Sequence, residues 1–188
     1  MPKTERACMA GPIKLVAVAA MLTFVVGCGR KSEPPAKAAA ERWLRQTEAG
    51  PDLADLIKQL RQDPEVAEAV FIEAFNNGPT EAERETLADT IDWHWAAMQV
   101  QLADPEAYGL SDSEKEAMKS ISLSEEKTEE LLTFEYNYKA AALTGLALTQ
   151  GQTGKQLLER VAADPNSPYW NVAIAAQKST TLNGTGKR

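Results

Sequence analysis

The chain has 188 residues, with 20 Lys+Arg against 27 Asp+Glu and a formal net charge of −7. An acidic balance of that size excludes a nucleic-acid binder, which needs a basic patch. It equally excludes a domain surface that clings by itself to anionic lipid.

The first element is an export signal. Met1 to Lys14 carries Lys3, Arg6 and Lys14 against Glu5 alone, and Leu15 to Val26 is twelve residues without a charge. A spanning helix needs about 20 apolar residues, so the run predicts a cleaved signal peptide over 1–27. Met9 is a second candidate start, since Met9 to Lys14 would still supply a basic leader. The run closes on Val25-Val26-Gly27-Cys28, an aliphatic residue, Val, a small residue and Cys. This resembles the lipobox of bacterial lipoproteins, with Val where Leu is commoner at position 25. The resemblance implies cleavage between Gly27 and Cys28 and diacylation of the Cys28 sulfur. One acyl chain anchors only marginally, whereas two or three hold a protein on the membrane. In Gram-negative lipoproteins an Asp after the cysteine marks retention in the inner membrane. Gly29 stands there, so the resemblance implies the inner leaflet of the outer membrane, facing the periplasm. In a Gram-positive cell the same anchor implies the cell surface.

Cleavage leaves 161 residues with 17 Lys+Arg and 26 Asp+Glu, net −9. That length suffices for one domain with its own core. Cys8 leaves with the signal and Cys28 is acylated, so the expected domain holds no thiol, no disulfide and no thiolate metal site. Residues 28–37 read as a lipidated tether, with Pro34-Pro35 against regular structure. Nine extended residues reach about 30 Å.

From there the chain predicts helices throughout. Ala36 to Ala49 carries Trp43 and Leu44 and stops at Gly50-Pro51. Asp52 to Gln62 has a stripe of Leu53, Leu56, Ile57 and Leu60 at helical spacing. Asp63-Pro64 closes that helix and opens Glu65 to Asn76, which bears Val66, Val70, Phe71 and Phe75. Asn77-Gly78-Pro79 then breaks the chain. Thr80 with Glu83 forms a capping box for a helix to Leu102, striped by Leu87, Ile91, Trp95, Met98 and Leu102. A second box, Ser111 with Glu114, starts a shorter helix. Ser124 leads a long one to about Gln150. Phe134, Tyr136 and Tyr138 alternate as in a strand, but Glu125 to Glu130 before them and Ala140 to Ala142 after them decide for helix. Thr153 to Ala163 and Pro168 to Lys178 complete the set, with Ser167 and Pro168 as N-cap and N1 of the last. Residues 38–178 thus predict a single all-α domain of about seven to eight helices, and 179–188 a disordered tail.

An apolar residue before Asp-Pro recurs at Leu60–Pro64, Leu102–Pro105 and Val161–Pro165. Residues 135–178 read as helix, Gly-bearing turn, helix, Asp-Pro, helix, which resembles a HEAT or armadillo unit. The proline spacings, 41 and 60 residues, are irregular. Two arrangements therefore stand, a short HEAT-like array and an irregular bundle.

The chemistry-bearing residues are few. His94 is the lone histidine, in Asp92-Trp93-His94-Trp95. Asp92 lies two residues away on another helix face, so it does not orient His94 as a general base. Gly151-Gln-Thr-Gly154-Lys155 lacks the first glycine and the final Ser or Thr of a phosphate loop. No residue set predicts catalysis, a metal or a cofactor. Trp93 and Trp95, two apart, cannot both face a core. Trp93, off the Leu87–Ile91–Trp95 stripe, is the better contact residue for a partner, with Trp95 beside it. Acidic groups at Glu81, Glu83 and Glu85 and at Glu125, Glu126, Glu129 and Glu130 fit helix starts, or a docking surface for a basic partner. The expected function is a lipid-anchored, non-enzymatic adaptor that binds an envelope protein. An envelope enzyme with paired carboxylates and a small-ligand carrier are the alternatives.

Overall fold

The computed structural model describes residues 34–45, 53–149 and 151–184, with side chains described as far as 179. Among them are eight α-helices: α1 (Pro35–Arg45), α2 (Leu53–Leu60), α3 (Pro64–Asn77), α4 (Glu81–Ala103), α5 (Asp112–Lys119), α6 (Leu123–Thr149), α7 (Gln152–Ala162) and α8 (Trp170–Gly184). The fold is all-α. The signal segment, Cys28 and the Gly50-Pro51 break lie outside the described residues.

Local chemistry accounts for three of the helix starts. Asp63 caps α3 by accepting the Val66 amide at 3.3 Å, and Pro64 needs no donor at the first position. Thr80 and Ser111 each form the full reciprocal capping box, with Glu83 and Glu114. Phe134, Tyr136 and Tyr138 are helical. Phe134 and Tyr138, four apart, meet at a centroid distance of 6.0 Å, while Tyr136 turns to another side and stacks on Tyr169 at 5.2 Å.

Three boundaries differ from the sequence reading, one at α1 and two at α8. Helix α1 begins at Pro35, inside the expected tether 28–37, and buries Ala36 against the core. Proline is well placed as a first helical residue, so Pro34-Pro35 starts the helix instead of delaying it. The last helix starts at Trp170, not Pro168, because residues 165–169 fold into turns. The Ser167 hydroxyl accepts the Tyr169 amide and its carbonyl accepts that of Trp170. Helix α8 then runs to Gly184, into the segment 179–188 read as a tail.

Packing divides the molecule in two. In the body, α1, α3, α7 and α8 gather on the C-terminal half of α6, and α2 packs on α1 and α6. Every buried residue of α6 lies at Tyr138 or beyond. Phe71 of α3 is 0% exposed and presses on Gly145, where an added Cβ would come within 2.5 Å of its ring. The small residue lets α3 and α6 approach closely. Trp43 donates to the Ala141 carbonyl at 2.9 Å and Trp170 to that of Ala162 at 3.0 Å, fixing α1 to α6 and α8 to α7. Contacts thus radiate from α6 and join helices far apart in sequence, the arrangement of a bundle around one central helix.

Residues 81–136, comprising α4, α5 and the first half of α6, form an arm. Ile91 is the one buried residue of α4, and α5 has none.

Candidate protein-binding face

The arm is held at its base by charged pairs. Helix α3 ends at Gly78, whose φ of 73° would strain a side chain, and Pro79-Thr80 turns the chain into α4. Arg84 of α4 pairs with Glu135 of α6 at 3.0 Å, and Lys139 pairs with the same carboxylate at 2.8 Å. The Lys139 hydrogen bond holds the Glu135 carboxyl below the usual range; partial burial opposes this, and Arg84 adds to it. Phe75 and Tyr136 flank Tyr169 beside this junction, edge-on at 5.4 Å and stacked at 5.2 Å.

A cleft of about 370 Å³ opens on the same joint, lined by Glu41, Arg45, Glu73, Gly78, Glu83 and Tyr138 among others. Arg45 reaches across it to Glu83 at 3.0 Å. Burial raises the Glu83 carboxyl, but the Thr80 amide and hydroxyl and the Arg45 guanidinium outweigh it, leaving a lowered pKa. Burial, with the Glu83 charge, pushes the Tyr138 phenol up to about 12. The cleft therefore presents a carboxylate already ionised and engaged, and a phenol that keeps its proton.

Beyond the base, α4 carries apolar residues on two faces. Leu87, Ile91, Trp95, Met98 and Leu102 form the inner stripe, buried at Ile91 and half-buried elsewhere. Asp92 pairs with Lys127 of α6 at 2.6 Å and fixes the two helices in register. The second stripe is exposed: Trp93 at 68%, Ala96, Val100 at 58% and Ala103. The spacing 93, 96, 100, 103 places these residues along one side of the helix.

The structure therefore separates the two expected contact residues. Trp93 faces outward, while Trp95 is half-buried on the inner stripe. His94 packs at 5.0 Å against Trp93, and Asp92 is engaged with Lys127 rather than with the imidazole. Trp43 and Trp170 serve the body. The acidic groups lie at the starts of α4 and α6, with Glu81 and Glu83 in the first turn of one and Glu125 and Glu126 in the first turn of the other.

Charge is divided as sharply as packing. Residues 81–136 hold 15 carboxylates and 4 basic side chains, net −11. Residues 28–80 and 137–188 together hold 11 acidic and 13 basic groups, net +2. All four arm cations are spent within the arm: Arg84 on Glu135, Lys115 on Asp112, Lys119 on Glu116 and Lys127 on Asp92. Glu83 takes Arg45 from the body. Ten arm carboxylates have no ion pair among the described residues, including Glu85, Asp89 and Glu106.

One functional-looking motif has a structural explanation. Gly151 to Lys155 opens α7, and the Gly151 N-cap supplies no side-chain acceptor. The Glu68 carboxylate of α3, 8% exposed, takes that place and accepts the Gly154 amide. A Cβ at Gly154 would meet Glu68 Oε1 at 2.7 Å. The glycines make room for an internal anion at a helix N-terminus. Sequence reasoning missed Glu68, although two glycines three apart at an uncapped helix start were a usable signal.

No protein-family model matches the chain, and no curated protein or solved structure matches it either.

Proposed function

We propose that this protein is a lipid-anchored, non-enzymatic adaptor of the bacterial envelope, tethered through acyl chains on Cys28 and offering its arm to a protein partner. The observation that carries the reading is the exposed Trp93–Val100 stripe on a helix whose opposite face already packs on α6. Exposed apolar stripes of this kind cost solvation unless a partner covers them. No helix among the described residues is long and apolar enough to cross a membrane, so membrane attachment in this reading falls to Cys28. Gly29 assigns the anchor to the outer membrane of a Gram-negative cell, with the domain facing the periplasm, or to the surface of a Gram-positive one.

The cleft at the arm's base is the natural place for an enzyme or carrier, and its chemistry favours neither. A general acid needs a carboxyl whose pKa is raised, and Glu83 is lowered by Thr80 and Arg45. A carrier needs an apolar chamber, and charged groups line much of this wall.

The test is metabolic labelling with an alkyne fatty acid, followed by membrane fractionation of the native protein and Cys28→Ala. The expected result is label and membrane retention for the native protein, with both lost in Cys28→Ala. Equal fractionation of the two forms overturns the anchor. Crosslinking of the anchored form in intact cells tests the adaptor role. A reproducible envelope partner supports it, and none argues against it.

A further inference from the structure

We propose that the outer face of α4 is a docking site for a cationic amphipathic helix of the partner, with its apolar stripe on Trp93, Ala96 and Val100 and its basic residues over the carboxylates at both ends. This rests on the adaptor reading and specifies its partner.

Three observations select the occupant. First, the stripe is bracketed along the helix by negative charge. Glu85 and Asp89 precede Trp93 at helical spacings of eight and four, and Asp104 and Glu106 follow Ala103. From Asp89 to Asp104 is fifteen residues, about 22 Å at 1.5 Å per residue. A segment with an apolar centre and Lys or Arg at each end, some four turns long, matches that pattern. Second, the face is the side of an α-helix, whose backbone groups are satisfied within it. It offers no strand edge, so the segment must recognise it by side chains, as one helix packs on another. Trp93 is a ridge and Ala96 a notch, the relief that helix-on-helix packing uses. Third, the arm's net charge of −11 opposes the other candidates. A second copy would set two such arms face to face, and an anionic lipid surface would repel the arm in the same way. Every arm cation is paired internally, and ten arm carboxylates have no ion pair among the described residues, so the arm's field favours a positively charged segment from outside.

The direct test uses the full chain in nanodiscs of neutral phosphatidylcholine. The probe is a fluorescent synthetic helix of roughly fifteen residues, with leucines on one face and lysines at both ends. Fluorescence anisotropy, corrected for empty discs, reads the affinity. The expected result is saturable binding that weakens as salt rises. It should fall about ten-fold or more in Trp93→Ala/Val100→Ala, which leaves the charge unchanged, and similarly in Glu85→Lys/Asp89→Lys. A glutamate version of the peptide should not bind. Undiminished binding to Trp93→Ala/Val100→Ala would reduce the attraction to unspecific charge and overturn the site, as would no binding by the native protein.

A photocrosslinker placed at position 93 or at position 58 on α2 in intact cells separates the two levels of the argument. A partner caught at 93 through a lysine- or arginine-rich helix supports both. One caught only from 58 keeps the adaptor and overturns this face. Nothing caught from either position overturns the adaptor reading itself.

Discussion

Helix α6 runs through both halves of the molecule and is buried in only one. From Tyr138 to Thr149 it is the axis of the body, touched by five other helices. From Leu123 to Glu135 it has α4 beside it and solvent around much of the rest. The body is nearly neutral and cross-tied by indole hydrogen bonds and close helix contacts. The arm is strongly acidic and carries the exposed aromatic and aliphatic groups Trp93, Val100, Tyr108 and Leu132. One helix thus serves as core in the first region and as scaffold for a surface in the second. Stability belongs to the body, and recognition, in the proposed reading, to the arm.

The largest test of this division is Phe71→Ala. Phe71 is fully buried between α3 and Gly145 of α6. Its truncation should cost about 3–5 kcal/mol in urea denaturation. A loss below about 1 kcal/mol would mean that the body is not where the stability resides. Next is Glu68→Ala, which leaves the Gly154 amide at the start of α7 without its acceptor. The expected loss is about 1–3 kcal/mol. Glu68→Gln, which keeps an acceptor, should lose less. Gly154→Ala should lose less than Glu68→Ala, since its methyl meets the movable end of the Glu68 side chain and alanine gains about 1 kcal/mol over glycine in a helix. If Gly154→Ala is neutral or stabilising, the close approach is not required.

Helix starts were legible in both regions wherever a capping signal is local, at α3 in the body and at α4 and α5 in the arm. Asp63-Pro64 and the two capping boxes mark their helix starts chemically, and the structure has all three. The limits of the last helix were not legible. Ser167-Pro168 carries a good start signal, but tertiary packing of Tyr169 on Phe75 and Tyr136 accompanies a turn there instead. The Glu68 site was hidden for a different reason: its partner is 86 residues away, and sequence spacing holds no record of such pairs. Trp93 could be singled out because two tryptophans two apart cannot share a helix face. The charge division was also in the sequence, yet it acquires meaning only once residues 81–136 are seen to leave the body together.

The junction gives a smaller, pH-dependent test. The folded pKa of Glu135 lies below its ordinary 4.5 because Lys139, then Arg84, favour the ionised form over a modest desolvation. Its stabilising effect is therefore full above that ordinary value and is lost as pH falls through the lower folded one. Glu83 behaves with the same sign through Thr80 and Arg45, against its own burial. Acid should loosen the base of the arm before the body yields. Amide exchange, corrected for intrinsic rates, should show α4 losing protection while residues 138–149 keep theirs. In Glu135→Gln part of that loss should already be present at neutral pH, and the acid step should shrink. Because the pair is partly exposed, the expected effect is below about 1 kcal/mol. Simultaneous loss of protection in arm and body would make the two one cooperative unit.

The smallest expected effect on stability is the most informative about function. Trp93 is 68% exposed and makes its ring contact with its neighbour His94. Trp93→Ala should change unfolding stability by no more than about 0.5 kcal/mol. Trp170→Phe, which removes the hydrogen bond to Ala162, should cost roughly 1 kcal/mol. The fluorescence removed by Trp93→Ala should be that of a solvated indole, and that removed by Trp170→Phe that of a more shielded one. A large aromatic side chain that contributes almost nothing to folding, on the outer side of an acidic arm, needs an explanation outside the fold. In the proposed reading a partner supplies one. If Trp93→Ala instead destabilised the protein as much as Trp170→Phe, the indole would already be covered within the molecule. The arm would then lose its contact face and become a second, thinner part of the core.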